Sequence, residues 1–496
     1  MGQTRALRLG PACLLLAVTA LVYSPSLRGG FLWDDDAYIG RNQELTNAAG
    51  LRRIWLTPGS TQQYYPLTFT TFWIEYHLWG LRPIGYHLVN VLLHVVNAML
   101  VWVLLEFLGV SGAWIAAWLF ALHPVQVESV AWMTELKNVL STFFYLSAAL
   151  FLLKSRGEKP IRVSFYAFSL VLFLCALLSK SVTATFPVVM LLIGAWISGS
   201  WERKEILRLF PFLAMGLVVG LFTLHYEHRW VGAQGIHWAL TWPDRFIIAG
   251  RAFWFYLVKL LYPSPLIFIY PRWTIDPRNL SLYLYPMAAL LLLVTLACGR
   301  KWWGKLPFAG LLFFVVTLSP VLGLTSFYFM RFSFVADHFQ YLACIGVFAW
   351  AGWALSRLLN HLDIKGSWLG RILVGMLCMN LALATARAAR KYADPLHLWQ
   401  ETLEFNPDSA IAHHNMGIAY SEKNQWGDAL AHLRTAEALD PTYPQTHLAL
   451  AYFAVQTRRW DDARHQYQEA IRLGIRDPQI LKDYASLPPP HAPAEN

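Results

Sequence analysis

The sequence predicts an all-α protein: a polytopic membrane helical domain followed by a C-terminal helical-repeat solenoid. Three observations carry this reading. Hydrophobic residues fill 56% of the 496 positions and charged residues only 14%, with a mean hydropathy of +0.39, whereas a soluble chain carries about 25% charged residues. Apolar stretches long enough to enter a bilayer recur through the first 388 residues. The remaining stretch is polar and repeats at a fixed spacing. The composition excludes a string of soluble domains, and it excludes disorder, which needs low hydrophobicity and high charge.

The apolar stretches, in order, are 11–26, 86–108, 112–122, 138–153, 163–178, 182–198, 209–225, 246–262, 283–298, 306–324, 339–356 and 369–386. A spanning helix needs roughly 20 residues, so several are short. The first follows Arg5 and Arg8 and lacks a small-residue cleavage pattern, so it reads as an uncleaved helix with its N-terminus in the cytoplasm. Stretch 112–122 is weak by length. Stretch 246–262 is weak because Arg251 and Lys259 are costly at a bilayer centre. The basic stretches 154–162, 201–208, 299–305 and 357–371 are expected to face the cytoplasm. The acidic loop 27–85, with 123–137, 226–245 and 325–338, is then on the opposite side. Parity requires 246–262 to be re-entrant or interfacial.

The net charge is +10. From Lys391 onward 9 basic residues stand against 14 acidic ones, leaving 31 against 16 in the first 390. In a membrane chain a basic excess belongs to cytoplasmic loops and lipid phosphate, so membrane lipids are expected partners and nucleic acid is not. The five cysteines, Cys13, Cys175, Cys298, Cys344 and Cys378, form no close pairs, which argues against a disulfide framework or a zinc site.

The C-terminal stretch 389–484 carries a 34-residue repeat. Trp426 and Trp460, Ala429 and Ala463, and Ala436 and Ala470 are each 34 apart. With Gly417, Tyr420 and Pro441 they fit the tetratricopeptide pattern, in which small residues sit where two helices cross. Residues 391–407 read as the second helix of an earlier, incomplete unit. Such repeats either bind a partner on a concave face or pack structurally. The end, 485–496, reads as a disordered tail.

Several polar residues interrupt the apolar pattern. Asp34, Asp35 and Asp36 follow directly on Phe31, Leu32 and Trp33. A carboxylate there is a solvated surface group, a partly desolvated base, or a ligand for Mg2+ or Mn2+. The segment 122–138 brings His123, Glu128, Glu135 and Lys137 into an apolar region, where the plain alternative is an interfacial loop anchored by Trp132. The segment 330–342 brings Arg331, Asp337, His338 and Tyr341; its plain alternative is a loop ion pair with an interfacial tyrosine. Lys180 lies between two apolar stretches, where a snorkelling lysine is the default. Residues 40–85 add Arg52, Arg53, Tyr64, Tyr65, Pro66 and Trp73, suited to packing, to a helix lying on the membrane surface or to a carbohydrate platform. The assigned sides put acidic and basic groups on one face of the membrane, an arrangement suited to a lipid-phosphate substrate. Walker, dinucleotide, HExxH and GxSxG motifs are lacking.

The order FLWDDDAYIGRN, YYPLT, GYHLVNVLLHVVNA, LFALHPVQVESVAW, SK followed by Thr, ADHFQYLACIG and then repeats resembles bacterial relatives of the transmembrane O-mannosyltransferases that carry tetratricopeptide repeats. These belong to the GT-C-fold glycosyltransferases. The resemblance runs from about residue 10 to 480. It implies a polyprenyl-phosphate-linked sugar as donor, with transfer on the periplasmic side of a bacterial inner membrane. It implies Asp34 as general base and Asp35 as shaping the donor site. Glu128 is implied as the acidic position of HPxxxE, and Arg331, His338 and Lys180 as partners of the lipid phosphate. Lys137 joins that basic group, although animal members differ around it. Asp36, His123, Tyr65, Asp337 and Tyr341 complete the candidates. The implied chemistry is a single inverting displacement onto a Ser or Thr hydroxyl of an envelope protein, with no metal or other cofactor required. The acceptor protein or peptide would be met through the repeats. Two other classes remain open on the residues: a non-catalytic repeat scaffold, and a transporter of lipid-linked sugar.

Overall fold

A computed structural model describes residues 9–156, 162–200 and 202–488. Part of the stretches 154–162 and 201–208, the N-terminal Arg5 and Arg8, and residues 489–496 of the expected tail lie outside the described residues. Among the described residues every regular element is helical. The chain divides into two compact units, one of residues 1–266 with 273–393, the other of 267–272 with 394–496. The boundary expected at 388/389 falls later because one helix runs unbroken through Trp368–Lys391.

Among the described residues of the first unit seven helical segments are long and apolar enough to cross a membrane: Leu9–Arg28, Pro83–Phe107, Met133–Ser155, Ser181–Ser198, Arg203–Val231, Leu280–Cys298 and Trp368–Lys391. Ala113–Leu122, Val163–Ser179 and Leu306–Val321 are shorter apolar helices. This is a multi-spanning membrane unit. The outward face of Arg203–Tyr226 shows why: Phe210, Leu213, Leu217, Val218 and Leu221 are 50–67% exposed, and such a stripe is stable only against lipid. Met133–Ser155, 83% buried, is a central span, while Trp368–Lys391, 11% buried, is peripheral.

Two expected stretches depart from a simple span. The helix expected at 339–356 begins at Cys344, because Asp337–Gln340 forms a separate tight turn. Stretch 246–262 lies in the helix Trp242–Leu261, which is not among the seven candidate spans. Its charges are absorbed locally. The Arg251 guanidinium lies 4.4 Å from the Trp273 ring centre, and Lys259 donates to the Pro265 carbonyl. The loop 27–85 carries two helices of its own, Ala48–Leu56 and Pro66–Trp79. Helices Leu306–Leu318 and Cys344–His361 cross at Gly310 and Gly346, where a Cβ on either glycine would strike the other's carbonyl oxygen.

The second unit is a set of antiparallel helices: Pro395–Phe405, Ala410–Glu422, Trp426–Leu439, Pro444–Gln456, Trp460–Arg472 and Pro478–Ala485. The paired tryptophans of the repeat, Trp426 and Trp460, are each the first residue of a helix. Ala429, Ala436, Ala463 and Ala470 are all fully buried. A Cβ on Gly417 would meet Leu433 at 2.7 Å, so the glycine is what lets its two helices touch. Residues 267–272 join this unit through Phe268, whose ring lies 5.1 Å from that of Trp399, and through the Ile269 carbonyl, which accepts from the Asn406 amide at 3.2 Å.

Candidate active site

The functional residues meet inside the first unit, on a segment whose charges predict an external loop. Residues 121–142 are all buried, so the plain alternative of an interfacial loop does not hold. The segment folds as tight turns at Pro124–Gln126, Val127–Ala131 and Met133–Glu135, then runs into the helix Leu136–Ser155. Burying this many charges is tolerable only if each is paired, and they are.

Glu135 is the hub. Its side chain has no exposed surface; Lys137 Nζ lies 2.9 Å away, Lys180 Nζ 3.5 Å and His338 Nε2 3.9 Å. Asn138 links the same groups, donating to the Glu135 carboxylate and, at 2.9 Å, to the His338 carbonyl, and accepting from Lys180 Nζ at 2.6 Å. Glu128 grips His338 with both oxygens, from the ring Nδ1 at 2.7 Å and from the backbone N–H at 3.0 Å. The carboxylate therefore fixes the Nδ1–H form and turns Nε2 toward Glu135. Lys180 is buried in this cluster, so it is not a snorkelling lysine.

Asp34 and Asp35 have different surroundings. Asp35 is 1% exposed and fully occupied. It accepts from the backbone N–H of Thr134 at 2.8 Å, from the Thr134 hydroxyl, and from the Leu32 N–H at 3.0 Å. Burial pushes its carboxyl up to about 7 against the pull of those hydrogen bonds. Asp34 is only half-buried and accepts no hydrogen bond from the described residues. Enough protein surrounds it that burial pushes its carboxyl up to about 6; the Lys137 ammonium opposes this, Glu135 adds to it and His338 opposes it. The turn that separates the two duties is Trp33, whose φ of +47° is a left-handed conformation that a bulky residue rarely adopts. Packing holds it. Trp33 stacks on Trp132 at 5.6 Å and 6°, with Phe332 edge-on at 5.5 Å, and Trp132 Nε1 donates to the Leu32 carbonyl at 3.2 Å.

Lys137 completes the site, with its ammonium 5.1 Å from the Tyr38 ring centre and 5.7 Å from that of Trp132. Tyr65 is buried nearby, its hydroxyl within electrostatic reach of Glu227, Lys137 and Glu135. Arg331 ends the turn Tyr328–Arg331 and is half-buried. Its neighbours Phe329 and Phe332 lie on Trp33.

Four candidates are placed elsewhere. His123 is buried behind the cluster, its Nε2 bonded to the Leu260 carbonyl at 3.1 Å and its Nδ1 accepting from the Val125 N–H. The Tyr341 hydroxyl points into the helix core, to His94 at 2.8 Å and Asn97 at 3.2 Å. Asp36 forms a surface pair with Arg41 at 3.6 Å. Asp337 is buried beside His338, within electrostatic reach of Lys259 and Tyr256. Sequence reasoning does not single out Asn138 and does not count Glu135 among the site residues; the signal for both is a charged or amide residue inside an apolar run, in TELKN.

Family models described as tetratricopeptide repeat match residues 398–431 and 421–479. Human protein O-mannosyl-transferase TMTC1 is 26% identical over 92% of this chain and 58% of its own length. The Caenorhabditis elegans protein O-mannosyl-transferase F38B6.6 is 24% identical over 87% of this chain and 63% of its own. Mouse TMTC3 is 37% identical over 29% of this chain and 17% of its own. The relatives of this chain are protein O-mannosyl-transferases. The chain spans less than two thirds of the length of these three. Among solved structures, Cupriavidus metallidurans ArnT bound to undecaprenyl phosphate aligns with a TM-score of 0.39 and 14% identity, covering 82% of this chain and 80% of its own. The Archaeoglobus fulgidus oligosaccharyltransferase AglB aligns at 0.42 and 13% identity, covering 79% and 57%.

Proposed function

We propose that this protein is a GT-C-type membrane glycosyltransferase. It moves mannose or a similar hexose from a polyprenyl-phosphate carrier to an acceptor hydroxyl, a Ser or Thr of an envelope protein, with inversion. The observation that carries the reading is the division of labour among the carboxylates of the site. Asp35 is consumed by Thr134 and Leu32, Glu128 by His338, and Glu135 by two lysines. Of these four, Asp34 alone is partly exposed and accepts no hydrogen bond from the described residues, so the general-base role is assigned to it, and Asp35 and Glu128 become supports.

In the reaction the acceptor oxygen attacks the anomeric carbon as Asp34 takes its proton. The bond from that carbon to the phosphate oxygen breaks, and the phosphate leaves with the electron pair. Growing negative charge on the phosphate is met by fixed cations. Arg331, half-buried, and Lys137, which pairs with Glu135 and also acts electrostatically on Asp34, are assigned to this role. Lys180 and His338 are held by Asn138, Glu135 and Glu128, so their role is to keep the cluster's charge balanced. The proposal assigns the phosphate to side chains and needs no Mg2+ or Mn2+. It places the site and the repeats on the periplasmic side, where the repeats can present the acceptor.

The test incubates purified full-length protein with a panel of polyprenyl-phosphate sugars and a Ser/Thr peptide. Released polyprenyl phosphate together with glycosylated peptide is the expected result, unchanged by EDTA. A scaffold or transporter would give neither product, and Asp34→Asn would leave its behaviour unaltered.

A further inference from the structure

The end of the helix Arg203–Tyr226 carries a buried carboxylate that the transfer reaction does not use. Glu227 opens a π-helical turn, Glu227–Val231, a conformation that recurs at functional sites. It is 7% exposed. Its Oε1 accepts from the Gln63 side-chain amide at 3.1 Å, and its Oε2 accepts from the Tyr328 backbone N–H at 3.1 Å. Gln63 in turn accepts from the Tyr38 hydroxyl at 2.8 Å through its Oε1. Both ends of the Gln63 amide are therefore specified. The Tyr38 ring is the one over which the Lys137 ammonium lies. The neighbouring Tyr226 hydroxyl pins the same stretch of the first loop, donating to the Thr61 carbonyl at 2.8 Å and accepting from the Gly59 N–H at 3.0 Å.

One continuous path thus runs from Lys137 through Tyr38, Gln63 and Glu227 to Tyr328, the first residue of the turn that ends in Arg331. We infer that Glu227 is a positioning residue: it fixes the Arg331-bearing turn relative to Lys137, so that the two cations meet one phosphate group. The functional half of this inference rests on the glycosyltransferase reading. A charged acceptor bonded to two donors from different segments holds them more firmly than neutral contacts would. Truncating it removes the acceptor that the Tyr328 N–H and the Gln63 NH2 group share.

The experiment uses the full-length protein in lipid nanodiscs and has two arms. In hydrogen–deuterium exchange, Glu227→Ala is expected to speed exchange in peptides covering 326–333 while leaving those of the helix Leu136–Ser155 unchanged. Glu227→Gln, which keeps an acceptor oxygen, should retain most of the protection. Tyr38→Phe and Gln63→Ala serve if the alanine variant fails to fold, and should loosen the same peptides. In the kinetic arm, with a polyprenyl-phosphate sugar, Glu227→Ala should raise the donor KM about tenfold or more with a smaller change in kcat, as expected for one lost charged hydrogen bond. The Gln63→Ala, Glu227→Ala double variant should be no worse than the poorer single one. Unchanged exchange at 326–333, or losses that simply add, would overturn the inference. Failure of the wild-type protein to transfer any sugar would sink the glycosyltransferase reading, while the exchange arm would still decide the positioning role.

Discussion

At the scale of single residues, adjacent carboxylates have opposite duties. Asp34→Asn removes the acceptor left open in the site, so transfer should fall about 10²- to 10⁴-fold while the protein still inserts and melts as the wild type does. Single-turnover assay and thermal scanning check the two halves. Burial pushes the Asp34 carboxyl up to about 6, and it must be ionised to act as a base. Below that pH the rate should drop about tenfold per unit, and above it the rate should level off. A profile that stays flat from pH 5 to 8 would exclude Asp34 as the base. Glu135 should behave differently. Glu135→Ala strands two buried lysines and should cost about 3–5 kcal/mol, seen as loss of folded protein before any kinetic effect can be read.

The acidic triplet, Lys137, Lys180 and His338 were legible in the sequence because each breaks an apolar run. Their assignments were not. Which aspartate is free depends on the backbone of Trp33, and no composition or spacing reports a φ of +47°. Glu128 reads as the acidic position of HPxxxE, and nothing in the sequence shows that His338, 210 positions away, takes both its oxygens. Lys180 reads as a snorkelling residue until Asn138 and Glu135 are seen beneath it.

At the scale of elements, the repeat helices follow the sequence closely because their packing is local: each small residue faces a helix next in the chain. Gly417→Leu should force Leu433 and the Ala429 carbonyl apart at a cost of about 1–3 kcal/mol. Circular dichroism melts of the full-length protein should show an earlier helical transition. The membrane segments were harder to bound. Stretch 112–122 proves to be a helix of ten residues, Ala113–Leu122, which at 1.5 Å per residue reaches only about half the hydrocarbon core. Segment 123–137 reads as an interfacial loop because of its charges, and it is buried because Glu128, Glu135 and Lys137 are paired. Hydropathy scores residues one at a time and is blind to pairing.

At the scale of the whole molecule, the open quantity is the path across the bilayer. With the basic stretches 201–208 and 299–305 expected on one side, and the two candidate spans Arg203–Val231 and Leu280–Cys298 between them, the helix Trp242–Leu261 is expected not to cross. Reporter fusions after residues 225 and 265 should then read as external and one after 300 as cytoplasmic. A cytoplasmic signal at 265 would make 246–262 a true span and reverse the side assigned to the segments C-terminal to it.

The wall around Glu135 is made of the same residues that hold the bundle together, from 121 to 142 and from 328 to 341. Grafting the chemistry of one such protein onto another therefore cannot proceed by exchanging single side chains. Donor preference should move between relatives only when both stretches are transplanted together, since either alone would separate Glu128 from His338.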